Sequence, residues 1–273
     1  MLSYQRVIVF LVVAMAWPVA VRAQGIPSVG EARRLYNAGR FAQALEMAEG
    51  LGAESEPAGA RVVAGRAALE QYRQAGDAQW LVRGRELLVG IDPTSLDARA
   101  RTEWLIGVAE ALYLDEQFGA SADVFSAALD RADALGPGAR ERVFDWWATA
   151  VDRHAQLQPP SERVVIYERL AEVVAAEVVR DPASPGANYW GVVAWRGQGD
   201  PNRAWDAALA GWLRVALAAD RGETARGDLD RLMIEAVIPE RARRLALQPA
   251  EFELAIASLT ADWEVFKQKW TTR

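Results

Sequence analysis

The chain has no cysteine and a single histidine, His154. The first absence excludes disulfides, thiol nucleophiles, thiolate metal sites and a lipid-modified cysteine anchor. The second excludes a two-histidine metal cluster within one chain, and any Ser-His-Asp arrangement would have to use His154. That residue stands close to Asp152 late in a helical stretch, where neighbours on one helix do not converge as a triad does. A surface or helix-end role is expected for it. No Gly-x-x-x-x-Gly-Lys loop occurs, and Gly197-x-Gly199 is followed by Asn202 where a dinucleotide loop has its third glycine. The acid pairs Asp115-Glu116 and Asp228-x-Asp230 fall on polar helical faces, and paired carboxylates do acid–base work only in a shaped pocket. These absences argue against an enzyme: no catalytic residue, cofactor or metal is expected.

Two further absences bear on compartment and partners. None of Asn37, Asn188 and Asn202 begins an Asn-x-Ser/Thr glycosylation acceptor. No apolar run approaches the roughly 20 residues that a bilayer crossing needs. The longest, Val7 to Ala16, follows Arg6 and ends at Trp17-Pro18, and Val21-Arg22-Ala23 precedes Gln24. A positive start, a short apolar core and a small-residue site have the layout of a cleaved secretory signal over residues 1–23, the alternative being an uncleaved anchor. The mature 24–273 would lose Arg6 and Arg22 and no acid, so the formal charge of −6 becomes −8. So acidic a protein repels phosphate backbones, and no nucleic-acid partner is expected. The expected location is periplasmic or secreted, with no lipid-anchor cysteine and no membrane-spanning segment after cleavage.

What is abundant is helix-forming. Ala, Leu, Arg and Glu dominate, β-type alternation is hard to find, and prolines fall between apolar-periodic stretches. The pattern predicts helices at about 28–38, 41–52, 58–74, 77–91, 96–115, 118–135, 138–157, 161–180, 185–197, 201–220, 223–237, 240–247 and 250–270. Phe118, Ala122, Phe125, Leu129 and Ala132 form one buried stripe, and Phe252, Ile256, Leu259, Trp263, Phe266 and Trp270 another. Pro239 is expected to break a helix before Glu240-Arg241-Ala242-Arg243-Arg244. That basic cluster reads as a solvated face partly paired with Glu235 and Glu240, or as a grip for a carboxylate or anionic head group.

Pairs of helices look alike. Leu35-Tyr36 precede Gly39-Arg40-Phe41, and Ala44 and Ala48 follow. Residues 104–129 repeat the plan with Leu105, Val108, Ala109 and Leu112 before the turn and Phe118, Phe125 and Ala128 after it. A third copy has Tyr189, Trp190 and Trp195, then Gly197-Gln198-Gly199-Asp200, then Ala204 and Ala208. Over about 29–220 this pattern resembles the tetratricopeptide repeat (TPR), whose units of about 34 residues pair two antiparallel helices. Spacing drifts from that period: Pro57 to Pro93 is 36 residues and Pro93 to Pro137 is 44. The resemblance implies an all-α fold of TPR-like antiparallel helix hairpins in a right-handed superhelical stack. Residues 24–222 would form the repeats, and 223–273 a C-terminal helical cap packed on them.

Ten tryptophans follow the signal segment, most of them at core positions of the repeats. Tyr189, Trp190, Trp195, Trp205 and Trp212 are dense enough to line a groove for a partner or ligand. The TPR resemblance implies a protein- or peptide-binding scaffold in a bacterial envelope assembly. The Tyr189-Trp190 stretch is also similar to TPR-type accessory proteins of tripartite ATP-independent periplasmic transporters. That similarity implies the alternative of a small organic ligand in a Trp-lined pocket.

Overall fold

The computed structural model describes residues 27–51, 58–218, 221–246 and 248–271, and every regular element among them is helical. The expected signal segment 1–23 and Pro57 lie outside the described residues. The helices are α1 (Val29–Asn37), α2 (Phe41–Glu49), α3 (Ala58–Ala75), α4 (Ala78–Leu88), α5 (Ala98–Leu114), α6 (Phe118–Leu129) and α7 (Ala139–Gln156). They continue with α8 (Pro160–Arg180), α9 (Pro185–Gly197), α10 (Pro201–Arg214), α11 (Gly222–Leu232), α12 (Ile238–Leu245) and α13 (Pro249–Trp270). Their starts have local chemical causes. Ser28, Asp77, Asp97, Ser184 and Asp200 each accept a backbone N–H from the first turn that follows. Pro160, Pro185, Pro201 and Pro249 occupy first-turn positions, where a missing N–H leaves no helical bond unmade.

Three hairpin turns share one backbone geometry. Arg40 N donates to Leu35 O at 3.0 Å, Gln117 N to Leu112 O at 2.9 Å, and Asp200 N to Trp195 O at 2.9 Å. The residue just before each donor is left-handed: Gly39 at φ 71°, Glu116 at 60° and Gly199 at 79°. This is the turn that ends a helix by satisfying its last carbonyls. In two of the three an edge-on aromatic pair braces the corner, Tyr36 on Phe41 at 5.3 Å and Tyr113 on Phe118 at 5.0 Å. Four residues beyond the donor, Ala44, Ser121 and Ala204 are all fully buried. A small side chain there lets the two helices of the hairpin close on one another.

Each helix packs on its successor, and the odd-numbered helices also meet one another: α1 with α3, α3 with α5, α7 with α9, and α9 with α11. From α2 to α10 no two even-numbered helices pack to that extent. The odd helices therefore form one layer and the even helices a more widely spaced second layer. At the far end α13 folds back along α12 and inserts Trp263, 0% exposed, against Trp205 and Trp212 of α10 at 6.3 and 5.3 Å. Asp230 of α11 fixes the insertion, accepting from Trp263 Nε1 at 2.7 Å and from Lys267 Nζ at 2.6 Å.

Four sequence expectations need correction. Trp270, expected in the buried stripe of the last helix, is exposed, and the helix expected over 201–220 ends at Arg214 with a 3₁₀ turn at Val215–Leu217. Pro239 does not break the helix: α11 runs into α12 through a π turn at Met233–Val237. Proline has no N–H for the carbonyl of Glu235, and widening the ladder by one residue there carries the chain past the ring without a stop. The helix expected over 118–135 ends at Leu129, and a 3₁₀ turn covers Ala132–Leu135.

Candidate functional site

The layer of odd helices presents two open clefts, one on each side of α7. The first, about 600 Å³, lies between α1, α3, α5 and α7. Tyr36, Phe41, Ile106, Val143 and Trp146 give it apolar walls, and Arg66, Arg99, Glu103 and Arg142 give it charge. The second, about 1050 Å³, lies between α7, α9 and α11 and is lined by Trp146, Tyr189, Trp190 and Leu232 among charged residues of both signs. Arg142 and Trp146, one helical turn apart on α7, belong to both clefts.

A desolvated charge network underlies the first cleft. Arg66 is 9% exposed, and its Nε and Nη2 donate to Glu110, itself 1% exposed, at 3.4 Å each. The guanidinium also lies 4.6 Å from the centre of the Tyr36 ring. Glu103 accepts from Arg33 Nε at 2.7 and 2.9 Å and from Arg99 Nε at 3.1 Å. Burial pushes ionisation of the Tyr36 hydroxyl well above the usual tyrosine range, so it stays a neutral donor at physiological pH. Burial likewise raises the Glu70 carboxyl, against the pull of Arg73 beside it. Arg142 differs from the other arginines of this cleft. It is exposed and makes no hydrogen bond or ion pair among the described residues.

In the second cleft the aromatic pair is held from α7. Trp190 Nε1 donates to Asp145 Oδ1 at 2.8 Å, and Tyr189 stands edge-on to Trp190 at 5.4 Å. Glu141, one turn earlier, accepts from Ser184 Oγ and Gly186 N, both at 2.7 Å, and so closes the start of α9. Burial, with Asp152 and Asp228 nearby, raises the Tyr189 hydroxyl above its ordinary value.

The five aromatics singled out from the sequence do not share one cavity. Tyr189 and Trp190 line the second cleft. Trp195, further along α9, faces the opposite layer, in a shallow groove between α8 and α10 under the Arg203 guanidinium at 4.7 Å. Trp205 and Trp212 are each 8% exposed and covered by Trp263. The basic cluster on α12 is also largely engaged in packing. Glu240 pairs with Arg196 at 2.8 Å, Arg241 lies over Trp205, Arg243 lies over Phe252, and Arg244 donates to Gly199 O.

Sequence reasoning passed over Arg66, Arg142 and Trp146. Arg66 and Glu110 were signalled by being lone charges within apolar runs, Val62 to Leu69 and Ile106 to Leu112, where a buried charge needs a partner. Trp146-Trp147 carried its own signal, because adjacent helical residues point about 100° apart and cannot both face one core. Trp147 is buried and Trp146 is half-buried at the cleft. Arg142 had no signal, since an unpaired surface arginine is defined by what does not surround it.

Among the described residues no group of acidic or histidine side chains is arranged to hold a metal ion, and no helix is long and apolar enough to cross a membrane. No protein-family model, no curated protein and no solved structure matches the chain.

Proposed function

We propose that this chain is an exported scaffold that binds an extended protein or peptide segment along the face formed by its odd-numbered helices. In this reading the hairpins form a TPR-like, right-handed superhelical stack, residues 1–23 direct export to the periplasm, and 223–273 cap the stack. The reading is of a binding protein and not of an enzyme. The observation that carries it is the pair of open clefts sharing Arg142 and Trp146 on α7. Stacked helix pairs offer such elongated concave surfaces, and an extended segment fits them better than a compact ligand does. The recurrence of one turn geometry at Gly39, Glu116 and Gly199 supports the repeat assignment. The step from repeat scaffold to partner binding is an analogy, and experiment must test it.

The test is affinity capture by mature 24–273 in its native periplasm, read by native mass spectrometry. A stoichiometric protein partner, lost in Trp146→Ala with Arg142→Glu and retained in Leu254→Ser on the outer side of α13, is the expected result. Equal capture by all three proteins would refute the assignment of the face.

One observation favours a second reading, a small organic ligand. Tyr189 and Trp190 line a cleft whose volume is near the upper end of the usual range for small-molecule sites. Ligand-induced quenching of tryptophan fluorescence should then vanish in Trp190→Ala and persist in Trp195→Ala. A flat response across a broad metabolite panel removes this alternative.

A further inference from the structure

The mature chain would carry a net charge of −8, yet the first cleft is locally cationic. Arg33, Arg66, Arg99 and Arg142 stand in or directly behind it, against Glu103 and Glu110. The four cations are not equally free. Arg33 and Arg99 share Glu103, and each is oriented by that carboxylate through its Nε. Arg66 reaches Glu110 only at 3.4 Å, at the long end of hydrogen bonding, and its Nη1 has no hydrogen-bond partner among the described residues. Arg142 has no hydrogen-bond or ion-pair partner among the described residues. A nine-tenths buried guanidinium with an unused nitrogen and a free guanidinium therefore line one cavity, in a protein whose overall field is negative.

Arginine in this setting is suited to an oxyanion, because its planar fork meets two oxygens at once and its charge-assisted bonds are the stronger kind. Two features narrow the class of anion. Glu103 remains on the cleft wall and already holds Arg33 and Arg99, so the cations left for a ligand are Arg66 and Arg142, which suit the two oxygens of one carboxylate. Tyr36, Phe41, Ile106 and Trp146 supply apolar walls beside the arginines, so the anion arrives attached to an apolar body. We infer that the cleft between α1, α3, α5 and α7 is a receptor for a carboxylate on a peptide segment. Arg142 and Arg66 receive the carboxylate oxygens, and the aromatic wall takes the apolar side chain next to it. This inference rests on reading the odd-helix face as a peptide-binding surface. Arg66 is the buried contact, held between Tyr36 and Glu110, and Arg142 is the exposed contact.

The test is affinity selection of hexapeptide libraries on the intact mature protein. The first library carries Asp or Glu with a free C-terminus. The second is its Asn or Gln counterpart with an amidated end, and the third replaces the acids with phosphoserine. The expected result is retention of acidic sequences that also carry an apolar residue, with affinity falling on the order of tenfold or more in Arg142→Gln. Arg169→Gln on the exposed side of α8 should bind as the parent does, and Arg142→Gln should melt at the same temperature because its side chain has no hydrogen bond or ion pair among the described residues to lose. Equal retention of the acidic and amide libraries, or preference for phosphoserine, overturns the carboxylate assignment and leaves the peptide-binding face standing. Retention of none of the three overturns both.

Discussion

At the scale of single residues, Arg66 and Glu110 form a buried ion pair. Both have left water, and their contacts at 3.4 Å recover only part of what solvation would have given. Removing one member strands the other. Arg66→Met alone is expected to lower unfolding free energy by about 3–5 kcal/mol, whereas Arg66→Met with Glu110→Leu loses far less. Urea denaturation of the two variants decides this, and a double variant as unstable as the single one would show that the charges themselves stabilise. Glu70 tests the same network through pH. It faces Arg66 and Arg73 on its own helix, Tyr36 from α1 and Glu110 from α5, and burial raises its carboxyl above the ordinary value of 4.5. The folded state therefore holds a proton more tightly than the unfolded state. Stability linked to that proton is full below about pH 4.5 and is lost as pH rises through the raised value. Glu70→Gln should accordingly melt higher than the parent at pH 7, and the difference should close by pH 4. A difference of constant size at both pH values would contradict the burial argument.

At the scale of elements, the turns and the last helix decide how the hairpins are joined. Glu116 holds a left-handed φ of 60° that Gly39 and Gly199 adopt freely at the matching turns. A side chain there costs about 1–2 kcal/mol, and glycine's extra freedom in the unfolded chain offsets part of the gain. Glu116→Gly should stabilise the protein by about 0.5–1 kcal/mol and Gly39→Ala should destabilise it by about 1 kcal/mol, as thermal melts will show. Trp263→Ala should cost about 3–5 kcal/mol. It should also raise amide exchange across Pro249–Trp270 while leaving α1 to α6 unchanged. Unaltered protection of α13 would mean that Asp230 and Lys267 hold it without the indole.

Much at this scale was legible beforehand. Helix starts near 28, 77 and 96 and at 185 and 201 were read from the sequence, and Phe41 and Phe118 after their turns marked two of the hairpins, because these signals act within a few residues. Pro239 was misread because a π turn is a property of the following ladder and has no signature of its own in the sequence. Trp205 and Trp212 were read as groove residues; their spacing of seven puts them on one helical face, and that face is buried. What buries them was not legible, because Trp263 arrives from more than 50 residues away. Their inclusion in a candidate groove came from that gap.

At the scale of the whole molecule, layering relates sequence to function. Contacts of α1 with α3 and of α3 with α5 set three odd helices on one side, and α7 completes the cleft there. That side collects charges spaced over about 110 residues, from Arg33 to Arg142, into one cleft. No local pattern could have revealed this assembly, because it depends on the stacking of separate hairpins. The even helices show the other layer, where Val165 and Val179 of α8 are well exposed and stand apart from both clefts. Position decides what a side chain can contact in such a stack, and the central claim is that partners approach the odd-helix side.

Site-specific photo-crosslinking in cells tests that claim most directly, with a photoreactive phenylalanine placed in turn at positions 146, 189 and 179. The account predicts a discrete adduct from 146 and 189, competed by excess parent protein, and none from 179. Adducts from 179 with none from 146 or 189 would place the partner on the even-helix layer and contradict the account.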